Sequence, residues 1–405
     1  MTGVLGRCAS AHPPLGRDGI AAPIRHNARC PHGARKGKTM RYVRMPIEVE
    51  SPEEYGYGNI RNNLSESSIV DQSIGSLGLT VPDLTLLYGE HRGSERLRSL
   101  IIAETPGLAV DDVLICGGAA GALFIIATAL LGKDDHLVVV RPNYATNIET
   151  PRAIGCQIGF VDLEFETGFA LDLDKVAAAI TPATKLISVT CPHNPTGVMM
   201  NEGELNALVA LAAERNCLLL VDETYRDLAI TTKLPIAASL GKHVISVASL
   251  SKAFGVPGIR VGWMINSDPA LMEIFLAAKE QISICGSVIN EWVAEEILAK
   301  RSAFLTPTLA EWRRRLDRVA AWMAGEELLE WVRPSGGVVC FPRMKADPPG
   351  GTDAFYRRLL QDHGTYVGPG HWFEMSDRYF RVGYAWPTAD QLEAGLVGIS
   401  AALRG

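Results

Sequence analysis

The sequence predicts an α/β protein, with a large domain built on a mostly parallel seven-stranded sheet and a smaller α+β domain. Three observations predict it. Between residues 106 and 265, short apolar runs alternate with helix-length segments, the pattern of a sheet covered on both faces. Beyond residue 270 the periodicity turns helical, then breaks into short strands and helices. The chain has 405 residues and is 47% hydrophobic, enough for a large core and two domains.

Residues 1–39 stand apart. They carry seven Lys/Arg against one Asp and no aromatic residue, the composition of a disordered basic tail. The favoured expectation is a non-native extension from a start codon set too far upstream, with Met40 or Met45 the real beginning. A transit peptide fits the Arg-rich, acid-poor start, but Pro and Gly spoil an amphipathic helix. Residues 40–75 predict an arm that joins the small domain, beginning with Glu-rich polar residues after Pro46. Residues 76–305 predict the large domain and 306–405 the small C-terminal domain. Strands are expected at 113–116, 137–140, 159–163, 185–190, 217–222, 244–248 and 261–265. Helices are expected between them, at 121–131, 173–180 and 202–215. A linker at 334–337 opens the last part, with strands at 338–341, 366–367 and 379–382 and helices at 355–360 and 391–403.

Composition excludes some functions. Net charge is −6, which gives no reason to expect nucleic-acid binding over most of the chain. No apolar run reaches the ~18 residues of a membrane span. The eight cysteines form no C-x-x-C pair and no Cys/His cluster, which argues for a reducing cytoplasm and against zinc or a disulfide framework.

Lys252 carries the strongest chemical signal. An apolar run ends in Ser249-Leu250-Ser251-Lys252, and Gly255, Gly258, Arg260 and Gly262 follow. A lone lysine at a strand end is ordinarily a solvated charge. Here hydroxyls and glycines let a ligand crowd it, and a second cation lies eight residues on. Desolvation beside a cation lowers a lysine pKa and makes the amine a nucleophile.

Other segments point the same way. Gly117-Gly118-Ala119-Ala120-Gly121 follows a strand and opens a helix, whose free N–H groups attract phosphate; helix–strand packing explains the glycines equally well. Tyr144, after Arg141-Pro142-Asn143, is by itself an ordinary aromatic. Asn194 lies in Cys191-Pro192-His193-Asn194-Pro195-Thr196-Gly197, which is turn chemistry by composition. Asp222 ends an apolar strand, where a carboxylate needs a cation, with a helix N-cap as the alternative. Arg381 is a cation inside a short apolar strand.

Jointly, and in this order, these segments resemble the fold-type I aminotransferases that use pyridoxal phosphate, the aspartate aminotransferase superfamily. The pattern S-x-S-K-x(5)-G-x-R-x-G at 249–262 and Asn-Pro-Thr-Gly at 194–197 carry the resemblance, which covers roughly residues 60–400. It implies Lys252 as the Schiff-base lysine and proton carrier. It implies the amides of Ala119 and Ala120, with Ser249 and Arg260, at the cofactor phosphate. Tyr144 would stack on the ring, Asp222 face the pyridinium nitrogen, and Asn194 and Tyr225 face the phenolic oxygen. Arg381, with Asn194 nearby, would grip the substrate carboxylate. Tyr88, in Tyr88-Gly89-Glu90-His91-Arg92-Gly93, would reach the phosphate of a neighbouring subunit, which implies a homodimer. His193 reads as a satisfied loop residue rather than a base.

The resemblance implies amino transfer between an L-amino acid and a 2-oxo acid. The alternative keeps the cofactor and ends in β-replacement, elimination, cyclisation or oxidation. That alternative is suggested by a weaker resemblance to the capreomycidine synthase branch, through Gly336-Gly337-Val338 with Phe341-Pro342-Arg343 and Ser251-Lys252-Ala253 with Pro257-Gly258. The arm departs from the family pattern: Leu64 is followed by Ser65, Glu66, Ser67 and Ser68, where a glycine usually leaves room for the substrate carboxylate. A DNA-binding regulator with an aminotransferase-like domain would need a folded helix-turn-helix, for which residues 1–39 are too short and too Pro/Gly-rich.

Overall fold

The computed structural model describes residues 40–230 and 232–405, so the basic stretch 1–39 lies outside the described residues. Apolar runs of five to seven residues form the large sheet. Its strands are β1 (Val113–Gly117), β2 (His136–Arg141), β3 (Gln157–Asp162), β4 (Thr184–Thr190), β5 (Leu218–Asp222), β6 (Val244–Ser249) and β7 (Val261–Ile265). Each lies within two residues of its expected position. Their spatial order is β1-β7-β6-β5-β4-β2-β3. β7 runs antiparallel to β1 and β6, and every other pair is parallel.

Side chains alternate between two apolar cores, as the two-residue period of a strand requires. Val138, Val140, Ile187, Val189, Leu219 and Val221 pack on one face. Leu137, Val139, Leu186, Leu220, Ile245 and Val247 pack on the other. Burial of both faces explains why the inner strands read as hydrophobic runs, whereas the edge strand β3 is only part-buried.

Helix α1 (Gly118–Leu130) follows β1 directly, three residues earlier than expected. Gly118 permits the sharp entry, with φ of +77°. The long helix α2 (Arg301–Gly325) buries Leu305, Trp312, Leu316, Val319 and Met323, a stripe at helical spacing. The chain ends in helix α3 (Ala389–Arg404), capped by Thr388 and Gln391 in reciprocal hydrogen bonds.

The smaller domain is built on short strands. Phe380–Gly383 lies between Val339–Cys340 and Gly368–Pro369, antiparallel to both. Leu329–Glu330 pairs with Arg343–Met344. Among the described residues, no helix is long and apolar enough to cross a membrane.

The arm stitches these parts together. Asn62–Asn63 pairs in parallel with Thr365–Tyr366. The Leu64 carbonyl accepts from Gly383 N–H at 2.7 Å, and Ile69 N–H donates to the Lys252 carbonyl at 3.1 Å. The Leu64 side chain is fully buried and faces Gly395 of α3, where a Cβ would meet its Cδ1 at 2.6 Å. Leu64 therefore sets how the arm crosses between the small sheet and the Lys252 loop. Leu64→Ala is expected to lower stability by about 2–5 kcal/mol, read as a fall in the urea midpoint with unchanged slope.

Candidate active site

The parallel strands of the sheet end on one edge, and loops leaving that edge carry the chemistry, as in open α/β sheets generally. β1 leads into Gly118, β2 into Tyr144, β4 into Asn194, β5 ends at Asp222, and β6 leads into Lys252. Because β7 is antiparallel, it starts at this same edge, and Arg260 immediately precedes it. The loops enclose a cleft of about 500 Å³.

Ten of the eleven residues singled out from the sequence line this cleft: Ala119, Ala120, Tyr144, Asn194, Asp222, Tyr225, Ser249, Lys252, Arg260 and Arg381. Tyr88 does not line it and is 78% exposed.

One end of the cleft suits an anion. α1 has no side-chain cap, so its first N–H groups lack partners within the helix. A Cβ on Gly262 would lie 2.5 Å from the Gly118 carbonyl carbon and 2.6 Å from the Ala119 nitrogen. The absence of that Cβ lets β7 press against the helix start. A Cβ on Gly118 would likewise meet the Arg260 guanidinium at 2.5 Å. Arg260 holds a left-handed backbone (φ +51°), a conformation that costs energy for a residue with a side chain. Its guanidinium donates to the Pro257 carbonyl at 2.9 Å. The Ser249 hydroxyl accepts from Ser251 N–H at 3.4 Å, leaving its own proton to donate.

Lys252 and Asp222 line the same cleft. Burial lowers the Lys252 pKa most, Glu66 opposes that, and Arg381 and Arg260 lower it further. Its Nζ donates to the Ser67 hydroxyl at 3.1 Å. Asp222 is buried and accepts from Thr224 Oγ1 at 2.6 Å and Thr224 N–H at 3.1 Å. Burial pushes its pKa up, while Thr224 and Asn147 pull it down. Such a carboxylate suits a cationic N–H donor. Tyr225 donates to the Ser67 carbonyl at 2.7 Å, so in this structure its hydroxyl lies on the arm.

Arg381 also lines the cleft. It is 4% exposed and donates to Asn194 Oδ1 at 3.1 Å and to the Ser65 carbonyl at 2.7 Å. Its Nε has no partner among the described residues. Because a guanidinium only donates, the contact fixes Asn194 with its oxygen on Arg381 and its NH₂ free to donate elsewhere.

His193 is a structural clasp. Its Nε2 donates to the Pro142 carbonyl at 2.8 Å, and its Nδ1 accepts from Thr196 Oγ1 at 2.8 Å. Burial pushes its pKa down to about 4.

Residues 85–399 match the family model "Aminotransferase class I and II". The chain belongs to this family. It is 32% identical over 358 residues to capreomycidine synthase of Streptomyces vinaceus, covering 85% of this chain and 90% of that protein. It is 31% identical over 301 residues to an arginine–pyruvate transaminase of Pseudomonas aeruginosa, covering 71% and 74%. Its fold is similar to a pyridoxal-phosphate-dependent aminotransferase from Streptococcus suis, with TM-score 0.82, 27% identity, and coverage of 89% and 98%. As an enzyme of this family, its cofactor is pyridoxal phosphate. The cleft fits that group: an uncapped helix start beside Arg260, a buried carboxylate, an amine and an aromatic ring converge in it.

Several lining residues escaped the sequence reading. Thr190 and Thr224 carry no pattern of their own. Ser65, Glu66 and Ser67 were legible only as a departure from the family arm; Ser67 lines the cleft, whereas Ser68 is buried outside it.

Two outcomes follow from this geometry. Gly262→Ala should displace the helix start and weaken retention of pyridoxal phosphate by roughly tenfold or more, about 1.4 kcal/mol, measured by cofactor absorbance after dialysis. His193 is neutral in the folded chain down to about pH 4, whereas an unfolded histidine protonates near 6.5. Its contribution is therefore present above pH ~6.5 and lost as pH falls toward 4, by roughly 3 kcal/mol. A urea midpoint that holds steady across that window would contradict this.

Proposed function

We propose that this chain is an aminotransferase that moves an amino group between an L-amino acid and a 2-oxo acid. The observation that carries the reading is the placement of Lys252 and Arg381 in one cleft, both in contact with the arm segment 65–67. An α-amino acid has a carboxylate for Arg381 and an α-carbon proton for Lys252.

The residues divide the work. The amides of Ala119 and Ala120, the Ser249 hydroxyl and the Arg260 guanidinium would hold the cofactor phosphate. Tyr144 would lie against the ring. Asp222 would keep a proton on the ring nitrogen, and Asn194 and Tyr225 would donate to the phenolic oxygen. Bound there, pyridoxal phosphate supplies an electron sink that stabilises negative charge at the substrate α-carbon. Arg381 orients the substrate through its carboxylate, with a planar fork that a lysine cannot reproduce. Lys252, its pKa lowered by burial, removes the α-carbon proton and returns it from the same face.

We infer a homodimer in which Tyr88 serves the neighbouring subunit. Exposed Leu86, Leu87 and Tyr88, with exposed Ile282 and Ile284, support an apolar contact surface. Free cysteines at all six described positions support a reducing, cytoplasmic setting.

The second reading is β-replacement, elimination, cyclisation or oxidation, which the likeness to capreomycidine synthase favours. Mixing the holoprotein with single amino acids, without any oxo acid, separates the two. Transamination yields one 2-oxo acid per subunit and leaves the cofactor in its amine form. Ammonia or a cyclic product, with the cofactor still an aldehyde, would transfer the assignment to the second reading. Lys252→Ala should lower kcat about 10²–10⁴-fold. Arg381→Lys should raise KM about tenfold or more with a smaller change in kcat.

A further inference from the structure

The cleft contains more carboxylates than its own cations can answer. Arg44 pairs with Glu54 at 3.3 Å. On the reading above, the cofactor engages Lys252, Arg260 and Asp222, and the substrate carboxylate engages Arg381. Glu48, Glu53 and Glu66 remain, and all three line the cleft. None of them forms an ion pair with another described residue.

Glu66 is the best placed of the three. It stands in the arm between Ser65, whose carbonyl accepts from Arg381, and Ser67, whose hydroxyl accepts from Lys252. Groups that reach the substrate's carboxylate and its α-carbon thus flank Glu66 on either side. Its side chain is fixed in place: Oε1 accepts from the Tyr57 hydroxyl at 3.0 Å, and the Tyr57 ring stacks on Trp386 at 5.9 Å. Trp386 in turn donates to Asp71 at 2.9 Å. Among the described residues, nothing donates to Oε2.

Two further observations point to a ligand. Arg381 lines the cleft, is more than nine-tenths buried, and its Nε has no partner among the described residues. Burial raises the Glu66 pKa, and Lys252 is the main charge opposing that rise. A half-buried carboxylate in this position gains from a second cation once the Lys252 amine is committed to chemistry.

We propose that Glu66, assisted by Glu53, binds the cationic end of the substrate side chain, so that the enzyme selects α-amino acids ending in a guanidinium or ammonium group. The proposal rests on the reading of the cleft as a pyridoxal phosphate and amino-acid site. Arg381 then takes the α-carboxylate and Glu66 takes the distal charge, and the two fix the α-carbon before Lys252. A neutral side chain of the same length leaves the Glu66 carboxylate without its counterion.

The test is a titration of the holoenzyme with L-arginine, L-lysine, L-citrulline and L-norleucine, following the cofactor's visible band. That band responds to amino-acid binding whatever the later chemistry. Half-saturation with arginine or lysine should come at concentrations at least about 30-fold below those for their neutral counterparts. Arginine against lysine tells guanidinium from ammonium. Glu66→Gln should cut the preference about tenfold or more, and Glu66→Asp should keep part of it. Equal response to citrulline and arginine in the wild-type protein overturns the proposal without need of a variant. So does an undiminished preference in Glu66→Gln that still carries the cofactor band. Product analysis in the same samples judges the transamination reading separately: a cyclic product formed with full arginine preference would overturn that reading and leave the Glu66 assignment standing.

Discussion

An amine that must act as a nucleophile and a base has to be held out of water and short of counterions. On the proposed function Lys252 is such an amine, and its environment meets that demand. Burial and two arginines lower its pKa, and a neutral serine hydroxyl rather than a carboxylate receives its hydrogen bond. Two cations near a third are tolerable only if each has its own oxygen partners. Arg260 has the Pro257 carbonyl, and Arg381 has Asn194 and the Ser65 carbonyl. The loops that supply those oxygens come from distant parts of the chain, so the local electrostatics set where the arm and the small sheet must lie.

The sheet brings these groups to one edge by topology. Parallel strands all deliver their loops to the same side. The one antiparallel strand, β7, begins there instead of ending there, which puts Arg260 beside the start of α1. Close approach of β7 and α1 depends on glycines at 118 and 262, where a Cβ would collide with a guanidinium or with backbone. These are the positions at which the fold and the anion end of the cleft constrain each other.

Most of the sheet was legible in the sequence because strands buried on both faces leave unbroken apolar runs that few other elements imitate. The cleft was legible where a residue type conflicts with its local setting: Lys252, Asp222 and Arg381 are charges at the ends or in the middle of apolar strands. Residues lacking such conflict escaped notice. Thr190 and Thr224 are ordinary strand and turn residues, and only the folded chain shows Thr224 bonded to Asp222. The Ser65–Ser67 segment was visible as a change in composition, read as a matter of space. Its electrostatic role depends on a long-range contact, across more than 180 residues to Lys252 and more than 300 to Arg381, which no local pattern encodes.

The arm's contacts also bear on what any affinity for this cleft means. Ser65 and Ser67 present a carbonyl to Arg381, another carbonyl to Tyr225 and a hydroxyl to Lys252. On the proposed function, these are the donors that an amino acid and the cofactor's oxygen would engage. The arm is in effect a tethered competitor, already seated on the receptor groups at an effective concentration set by its own attachment. A measured dissociation constant is therefore an exchange constant: it reports how much better the incoming molecule satisfies those donors than the protein's own backbone does.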